Sequence, residues 1–369
     1  MRFSLTALPR CSALAALLSL FALGTSLSPA PVNAAPAGPK YRIEDLSMAG
    51  YVVTQAVGLN NKGEVALNAW TSFFTEVNPS IYRGGSLTSV ADRFRFLEGI
   101  NDRGDLIGEG LNRNRASLWR DGQMIDLRTT FFGTTAVDGV AVAINNKGQV
   151  TGAMQSSFSQ PGQVFVYDGT SSRYLELPAN RGATAWDINE HGAVAGQFEP
   201  DRSDFFDGEY LGFVHDGTRA TVLPTLGGKQ GYAYGINDAG QAVGYAFTND
   251  DAVIGGYLYS GGTLSPLGVD IARDINNRGW IVGTDARNAF LYRGGQVHYL
   301  ADLLVGDDAT RWSLYDATAI NERGQIIGYG FADGRDRPFL ATPVPEPSVW
   351  ALMLLGFGVV GRVAWQRRT

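Results

Sequence analysis

Tyr234-Gly235-Ile236-Asn237-Asp238-Ala239-Gly240-Gln241-Ala242-Val243-Gly244 contains the architecture in miniature. An apolar segment ends in Ile-Asn, two variable residues lead to Gly240, and a second apolar segment closes on Gly244. Asn hydrogen-bonds its own turn backbone and Gly takes a positive φ without penalty, so the phrase reads as two short strands joined by a tight turn. The same phrase recurs at Leu59-Asn60-Asn61-Lys62-Gly63, Ile100-Asn101-Asp102-Arg103-Gly104, Ile144-Asn145-Asn146-Lys147-Gly148 and Ile188-Asn189-Glu190-His191-Gly192. It returns at Ile275-Asn276-Asn277-Arg278-Gly279 and Ile320-Asn321-Glu322-Arg323-Gly324, making seven copies. Successive asparagines lie 41, 44, 44, 48, 39 and 45 residues apart, and a nearly fixed period means a repeat architecture.

Outward from each turn, a second phrase follows: Leu118-Trp119-Arg120-Asp121-Gly122, Phe165-Val166-Tyr167-Asp168-Gly169, Phe213-Val214-His215-Asp216-Gly217, Tyr257-Leu258-Tyr259-Ser260-Gly261 and Phe290-Leu291-Tyr292-Arg293-Gly294. After it comes a short apolar segment such as Thr221-Val222-Leu223. The runs are short, β-branched or aromatic and bounded by turn residues, which predicts four strands per unit and no helix of useful length. Four strands in roughly 44 residues is the size of one propeller blade. The expected fold is therefore all-β, a seven-bladed propeller over residues 41–342, with a β-solenoid as the alternative. The seventh unit has three strands, Tyr315 to Ile320, Gln325 to Tyr329 and Arg337 to Leu340, and breaks off at Pro343. The unpaired N-terminal segment Tyr41 to Leu46 resembles a fourth strand, so it is expected to complete the last blade and close the ring, leaving only short protected edges.

The two ends read as targeting segments. Arg2 and Arg10 precede an uncharged Leu- and Ala-rich run from Cys11 through Leu27, and Val32-Asn33-Ala34 supplies small residues for cleavage. This predicts a signal peptide over residues 1–34, cut by signal peptidase after Ala34, and a linker over 35–40. Cys11 is the one cysteine and leaves with that segment, so the exported protein has neither thiol nor disulfide. At the other end, Val344-Pro345-Glu346-Pro347-Ser348 precedes an uncharged run from Val349 to Gly361, then Arg362 and Arg367-Arg368. This tripartite tail, residues 343–369, resembles the PEP-CTERM sorting signal of Gram-negative bacteria. The resemblance implies processing by an exosortase, with Pro345, Glu346, Pro347, Arg367 and Arg368 as the signal residues. It also implies a short helical, transmembrane segment that anchors the chain transiently before delivery to the cell surface or extracellular biofilm matrix.

The core phrase resembles the extracellular HAF repeat, on the stretch Leu226 to Gly244 above all. The His-Ala-Phe phrase of that family persists here only as Asn288-Ala289-Phe290, and elsewhere as Leu211-Gly212-Phe213. The resemblance implies a location and a shape and brings no reaction with it.

Composition narrows the partners. The chain carries 30 Lys and Arg against 36 Asp and Glu, for a net charge of −6. Loss of the two ends removes Arg2, Arg10, Arg362, Arg367 and Arg368 but only Glu346, so the remainder is more acidic still. An acidic surface argues against nucleic acid. His191, His215 and His298 fall in different units, which does not suit zinc. The stretch Asp201 to Glu209 lacks the alternating acidic spacing of a calcium loop and reads as a solvated loop. No catalytic residue, metal or cofactor is assigned. Paired carboxylates suited to glycoside chemistry depend on separation in space, which no motif displays.

Loop lengths say more. The first and third turns of each unit are short and uniform, whereas the second loop and the connection between units vary. Alternating strand direction puts both variable classes on one face, the natural place for function. That face holds Trp70, Phe73, Phe74, Phe131, Phe132, Phe158, Phe205, Phe206 and Trp312, candidates for stacking on sugars or gripping a protein. The expectation is an exported, monomeric, non-enzymatic surface or matrix protein that binds exopolysaccharide or a surface protein through that face. A secreted polysaccharide lyase or hydrolase on the same scaffold, and a structural matrix component without a ligand, are the alternatives.

Overall fold

The computed structural model describes residues 39–71, 76–111, 116–131, 138–157, 161–178, 180–201, 208–249 and 253–345. Ala34 and the expected leader, Glu346, Pro347, Arg367, Arg368, Phe73, Phe74, Phe132, Phe158, Phe205 and Phe206 lie outside the described residues.

Seven four-stranded antiparallel sheets form the seven blades. Blades 1 to 6 are continuous in sequence, at residues 53–89, 94–126, 138–174, 180–222, 227–266 and 271–299. Blade 7 combines Ser313–Ile320, Ile326–Ala332 and Arg335–Val344 with the N-terminal strand Lys40–Asp45 as its outermost member. The Lys40–Asp45 strand pairs antiparallel with the last strand, from Lys40 opposite Val344 to Asp45 opposite Phe339, and so closes the ring as expected. Further contacts hold this closure. The Tyr41 hydroxyl donates to the Gly324 carbonyl at 3.1 Å, and Arg337 pairs with Asp45. The backbone N–H of Ile43 donates to Asp308 at 2.8 Å. Asp308 belongs to a single helical turn, Asp308–Arg311, between blades 6 and 7 that the repeat pattern does not announce.

Burial follows the repeat. The described residues form seven apolar clusters, one at each junction between neighbouring blades. Leu118 and Phe165 meet between blades 2 and 3, Phe198 and Phe213 lie between blades 3 and 4, and Val65 meets Ile327 between blades 1 and 7. The aromatic of each third strand thus fills a junction, which is why that phrase recurs. Each fully buried side chain of this size contributes roughly 1.5–3 kcal/mol.

The Asn-x-x-Gly turns close the first hairpin of every blade and share one face of the ring, hereafter the turn face. Gly63, Gly104, Gly148, Gly192, Gly240, Gly279 and Gly324 all have φ between 71° and 83°. The Asn60 side-chain oxygen accepts from the backbone N–H of Lys62 and Glu64, at 3.0 and 2.9 Å, so the side chain shapes its own turn. The connections between blades and the second loops lie on the opposite, loop face.

Two expectations need correction. The last strand does not stop at Leu340 but runs to Val344, because Ala341 to Val344 pair with Lys40 to Ile43. The expected transmembrane segment is not supported: among the described residues no helix is long and apolar enough to cross a membrane. The physical reason is legible in the tail itself. Its uncharged run from Val349 ends at Gly361 before Arg362, well short of the ~20 residues that a spanning helix needs.

Candidate functional site

The innermost strand of each blade lines the central channel. These strands are Val53–Leu59, Phe94–Ile100, Asp138–Ile144, Asn180–Ile188, Gly227–Ile236, Ile271–Ile275 and Ser313–Ile320. Each has a β-bulge three residues before the turn asparagine, where pairing with the second strand skips one residue. A bulge re-aims a side chain. The skipped residues are Val57, Glu98, Val142, Trp186, Tyr234, Arg273 and Thr318, and all seven line a channel cavity of about 210 Å³. The bulge also explains the Gly that closes most second strands. A Cβ on Gly152 or Gly244 would run into the first-strand carbonyl of Val140 or Tyr232.

On the turn-face side of the bulges, the asparagines form a closed ring. The side-chain amide of Asn60 donates to the carbonyl of Asn101 at 3.0 Å, Asn101 to Asn145 at 3.0 Å and Asn145 to Asn189 at 2.9 Å. Asn189 donates to Asn237 at 2.9 Å, Asn237 to Asn276 at 3.2 Å, Asn276 to Asn321 at 3.1 Å and Asn321 back to Asn60 at 2.9 Å. A second ring runs beside it: the backbone N–H of Asn61 donates to Asp102, Asp102 to Asn146, Asn146 to Glu190 and Glu190 to Asp238. Asp238 donates to Asn277, Asn277 to Glu322 and Glu322 to Asn61, with distances of 2.6–2.9 Å around the ring. The seven turn asparagines are 2–6% exposed. They are structural, as the sequence implies, but their bond to the next blade is not visible in a single repeat.

The bulge ring is different because its seven positions are unequal. Val57 and Val142 flank the carboxylate of Glu98 on blades 1 to 3, whereas Trp186, Tyr234 and Arg273 gather on blades 4 to 6. Trp186 meets Tyr234 edge-on at 5.7 Å, and Arg273 lies over the Tyr234 ring at 5.7 Å. The Arg273 guanidinium pairs with Asp316 of blade 7 at 3.2 Å. From Tyr234 an aromatic ladder continues toward the loop face. Tyr245 stacks on Tyr232 at 4.6 Å, and Tyr210 and Phe247 follow at 5.9 and 6.1 Å. Burial pushes the phenols of Tyr232, Tyr234 and Tyr245 above their ordinary value.

Next to the bulge, five blades place Gly58, Gly99, Ala143, Gly235 and Ala319, but blades 4 and 6 place Asp187 and Asp274. Each carboxylate accepts two backbone N–H groups. Asp187 takes those of Ile188 at 2.7 Å and Ile236 at 2.8 Å; Asp274 takes those of Ile275 at 2.7 Å and Ile320 at 2.8 Å. Burial pushes Asp187 up to about 7, and the nearby Asp274 charge adds to it. Burial likewise raises Asp274, to about 6. Both acids keep some surface open to the channel while protein surrounds them. Burial also raises Asp316, with Arg273 pulling the other way.

Of the three expected ligand-face aromatics among the described residues, two lie in the core. Phe131 is 7% exposed and packs at a tilt against Tyr174 at 4.6 Å in the junction of blades 2 and 3. Trp312 is 5% exposed and meets Phe339 edge-on at 6.3 Å. Both are core residues and are withdrawn as ligand contacts, since an apolar ring at a blade junction gains more from burial than from solvent. Trp70 is half-buried beside Phe96. Pro345 directly follows the last strand. At Phe131 and Trp312 a position outside the strands does not bring exposure, while Trp186 and Tyr234 reach the channel from strands. Aligning the units on their asparagines would have exposed Glu98, Trp186, Tyr234 and Arg273 at one position where other units carry Val or Thr. Among the described residues no group of three or more His, Cys, Asp or Glu is arranged to hold a metal ion.

Residues 343–368 match the PEP-CTERM protein-sorting motif. This carries exosortase and signal-peptidase processing and supports export to the cell surface. Among curated proteins none matches this chain. The fold is similar to the β-propeller domain of the Trilobed protease from Pyrococcus furiosus, described as having an open velcro topology. The two are 10% identical, the match covers 80% of this chain and 98% of that one, and the TM-score is 0.52. TolB from Acinetobacter baumannii is 14% identical over 58% of this chain and 54% of its own, with a TM-score of 0.39. An acylaminoacyl peptidase is 9% identical over 80% of this chain and 51% of its own, with a TM-score of 0.44. The first likeness establishes the propeller fold alone. In contrast to its open velcro, the present ring is closed by the Lys40–Asp45 strand.

Proposed function

We propose that this is an exported surface or matrix protein, built from HAF-type repeats, that binds a polysaccharide at the loop-face entrance to its channel. The observation that carries the reading is the aromatic ladder from Trp186 and Tyr234 through Tyr245 and Tyr232 to Tyr210. Aromatic faces spaced about 4.5–7 Å apart, with carboxylates and an arginine beside them, suit the alternating apolar and hydroxylated surfaces of sugars. The bulges hold Trp186 and Tyr234 on rigid strands, so little ordering entropy is lost when a ligand docks.

The test is a pull-down of the full chain on the producing cell's own extracellular polysaccharide. Binding is expected, and Trp186→Ala together with Tyr210→Ala is expected to weaken it at least tenfold. Unchanged retention of that double variant would refute the ladder as the binding surface.

A second reading, a polysaccharide hydrolase or lyase, is favoured by one observation: Asp187 and Asp274, two acids of raised proton affinity, share one channel. A raised carboxylic acid beside an ionised one is the pairing that general acid catalysis uses. Release of reducing ends or unsaturated ends from the same polysaccharide, abolished by Asp187→Gly, would support it. Their absence under saturating protein would leave the binding role alone.

A further inference from the structure

The charges around the channel axis are almost all of one sign. Glu98, Asp187 and Asp274 line the channel cavity, and Arg273 is the one cation lining it. Its guanidinium is engaged by Asp316. The cavity of about 180 Å³ at the turn-face end is lined by Asp102, Glu190, Asp238 and Glu322, with no Lys, Arg or His among its lining residues. Low-dielectric walls focus such a field along the axis. A uronic acid would meet like charge there, and a neutral sugar would leave the field unused.

Asp187 and Asp274 are also unnecessary to the repeat, since five other blades close the same position with Gly or Ala. A costly buried charge at a position where the fold is content with Gly marks a site kept for a ligand. Their oxygens are engaged by one backbone N–H each, but a carboxylate oxygen has a second lone pair to offer. Beside them, Trp186 is 38% exposed, and its neighbour Tyr234 also lines the cavity. An aromatic face next to carboxylates attracts a cation more strongly than either alone.

We propose that the channel receives a cationic sugar unit: an amino sugar with a free ammonium, the nitrogen drawn to Asp187 and Asp274 within a field that Glu98 strengthens, and the ring lying against Trp186 and Tyr234. This rests on the polysaccharide-binding reading and narrows its substrate to polymers with unacetylated amino groups.

Calorimetric titration of the full chain with four probes tests it: a glucosamine hexamer, the N-acetylglucosamine hexamer, a galacturonate hexamer and oligolysine. The glucosamine hexamer is expected to bind at least tenfold tighter than the acetylated and acidic ones, and tighter than oligolysine. Asp187→Gly with Asp274→Ala should erase the preference over the acetylated hexamer. Trp186→Ala should weaken both glucosamine-based sugars without erasing it. Cooperative melting of each variant confirms that the ring is intact. Equal binding of the acetylated or acidic hexamer overturns the proposal, and so does oligolysine binding as tightly as the sugar. If no probe binds but the cell's own polysaccharide does, the ammonium inference falls and the polysaccharide reading stands. If nothing binds, both fall.

Discussion

At the scale of single residues, Asp187 and Asp274 are out of step with their repeat, and this has a measurable cost. Unfolded, both acids return to the ordinary carboxylate range; folded, burial holds their protons more tightly. Stability from this source is therefore full at low pH and is lost as the pH rises from about 4 through about 7. Asp333, held low by its hydrogen bond from Arg311, works in the opposite direction, so the comparison must be between variants. Asp187→Gly with Asp274→Ala is expected to flatten the fall in melting temperature between pH 4.5 and 7.5 and to raise the value at pH 7.5. A lower melting temperature at pH 7.5 would mean that the four backbone bonds outweigh the cost of the buried charges. None of this could be read from Asp-Ile-Asn in sequence. A side chain facing a channel and one facing solvent look alike until the strand has a place in the ring.

At the scale of the element, the repeat unit was largely legible and its bulge was not. Asn and Gly at fixed offsets announce the first hairpin because only those residues suit its turn. The third-strand aromatic announces a junction because it is large and recurs. The bulge inserts a residue without any residue type of its own, since Val57, Glu98, Trp186 and Thr318 all occupy it. Its trace is the Gly on the neighbouring strand, which leaves room for a displaced carbonyl. Gly152→Ala should therefore cost about 1–3 kcal/mol, the usual range for forcing extra volume into a packed site. Chemical denaturation would measure it, and a variant as stable as the parent would show that the strand shifts freely. Leu67, at the corresponding position of blade 1, indicates how far a strand can adjust when the larger side chain is native.

At the scale of the whole molecule, blade number and ring closure were legible because they follow from a count and from a missing strand. The proposed binding chemistry was not, because Trp186 with Asp187, Tyr234 and Asp274 come from three blades and meet only when the ring closes. Closure also decides where the chain leaves the ring. The last strand runs away from the loop face, and its end at Val344 lies beside Lys40, with Pro343 packed near the turn at Gly324. Both ends therefore depart on the turn face, behind the channel entrance. A tether attached beyond Pro345 would hold the ring by its back, so the aromatic ladder would look outward into the medium. Site-specific labelling can read this on intact cells, because the one native cysteine is Cys11. Leu111→Cys, an exposed loop-face position, is expected to react with a bulky maleimide, and Lys147→Cys on the turn face to be shielded. Equal labelling of the two would deny the orientation. With the proposed polysaccharide binding, a ring mounted this way would recruit polymer made by neighbours as readily as polymer made at home.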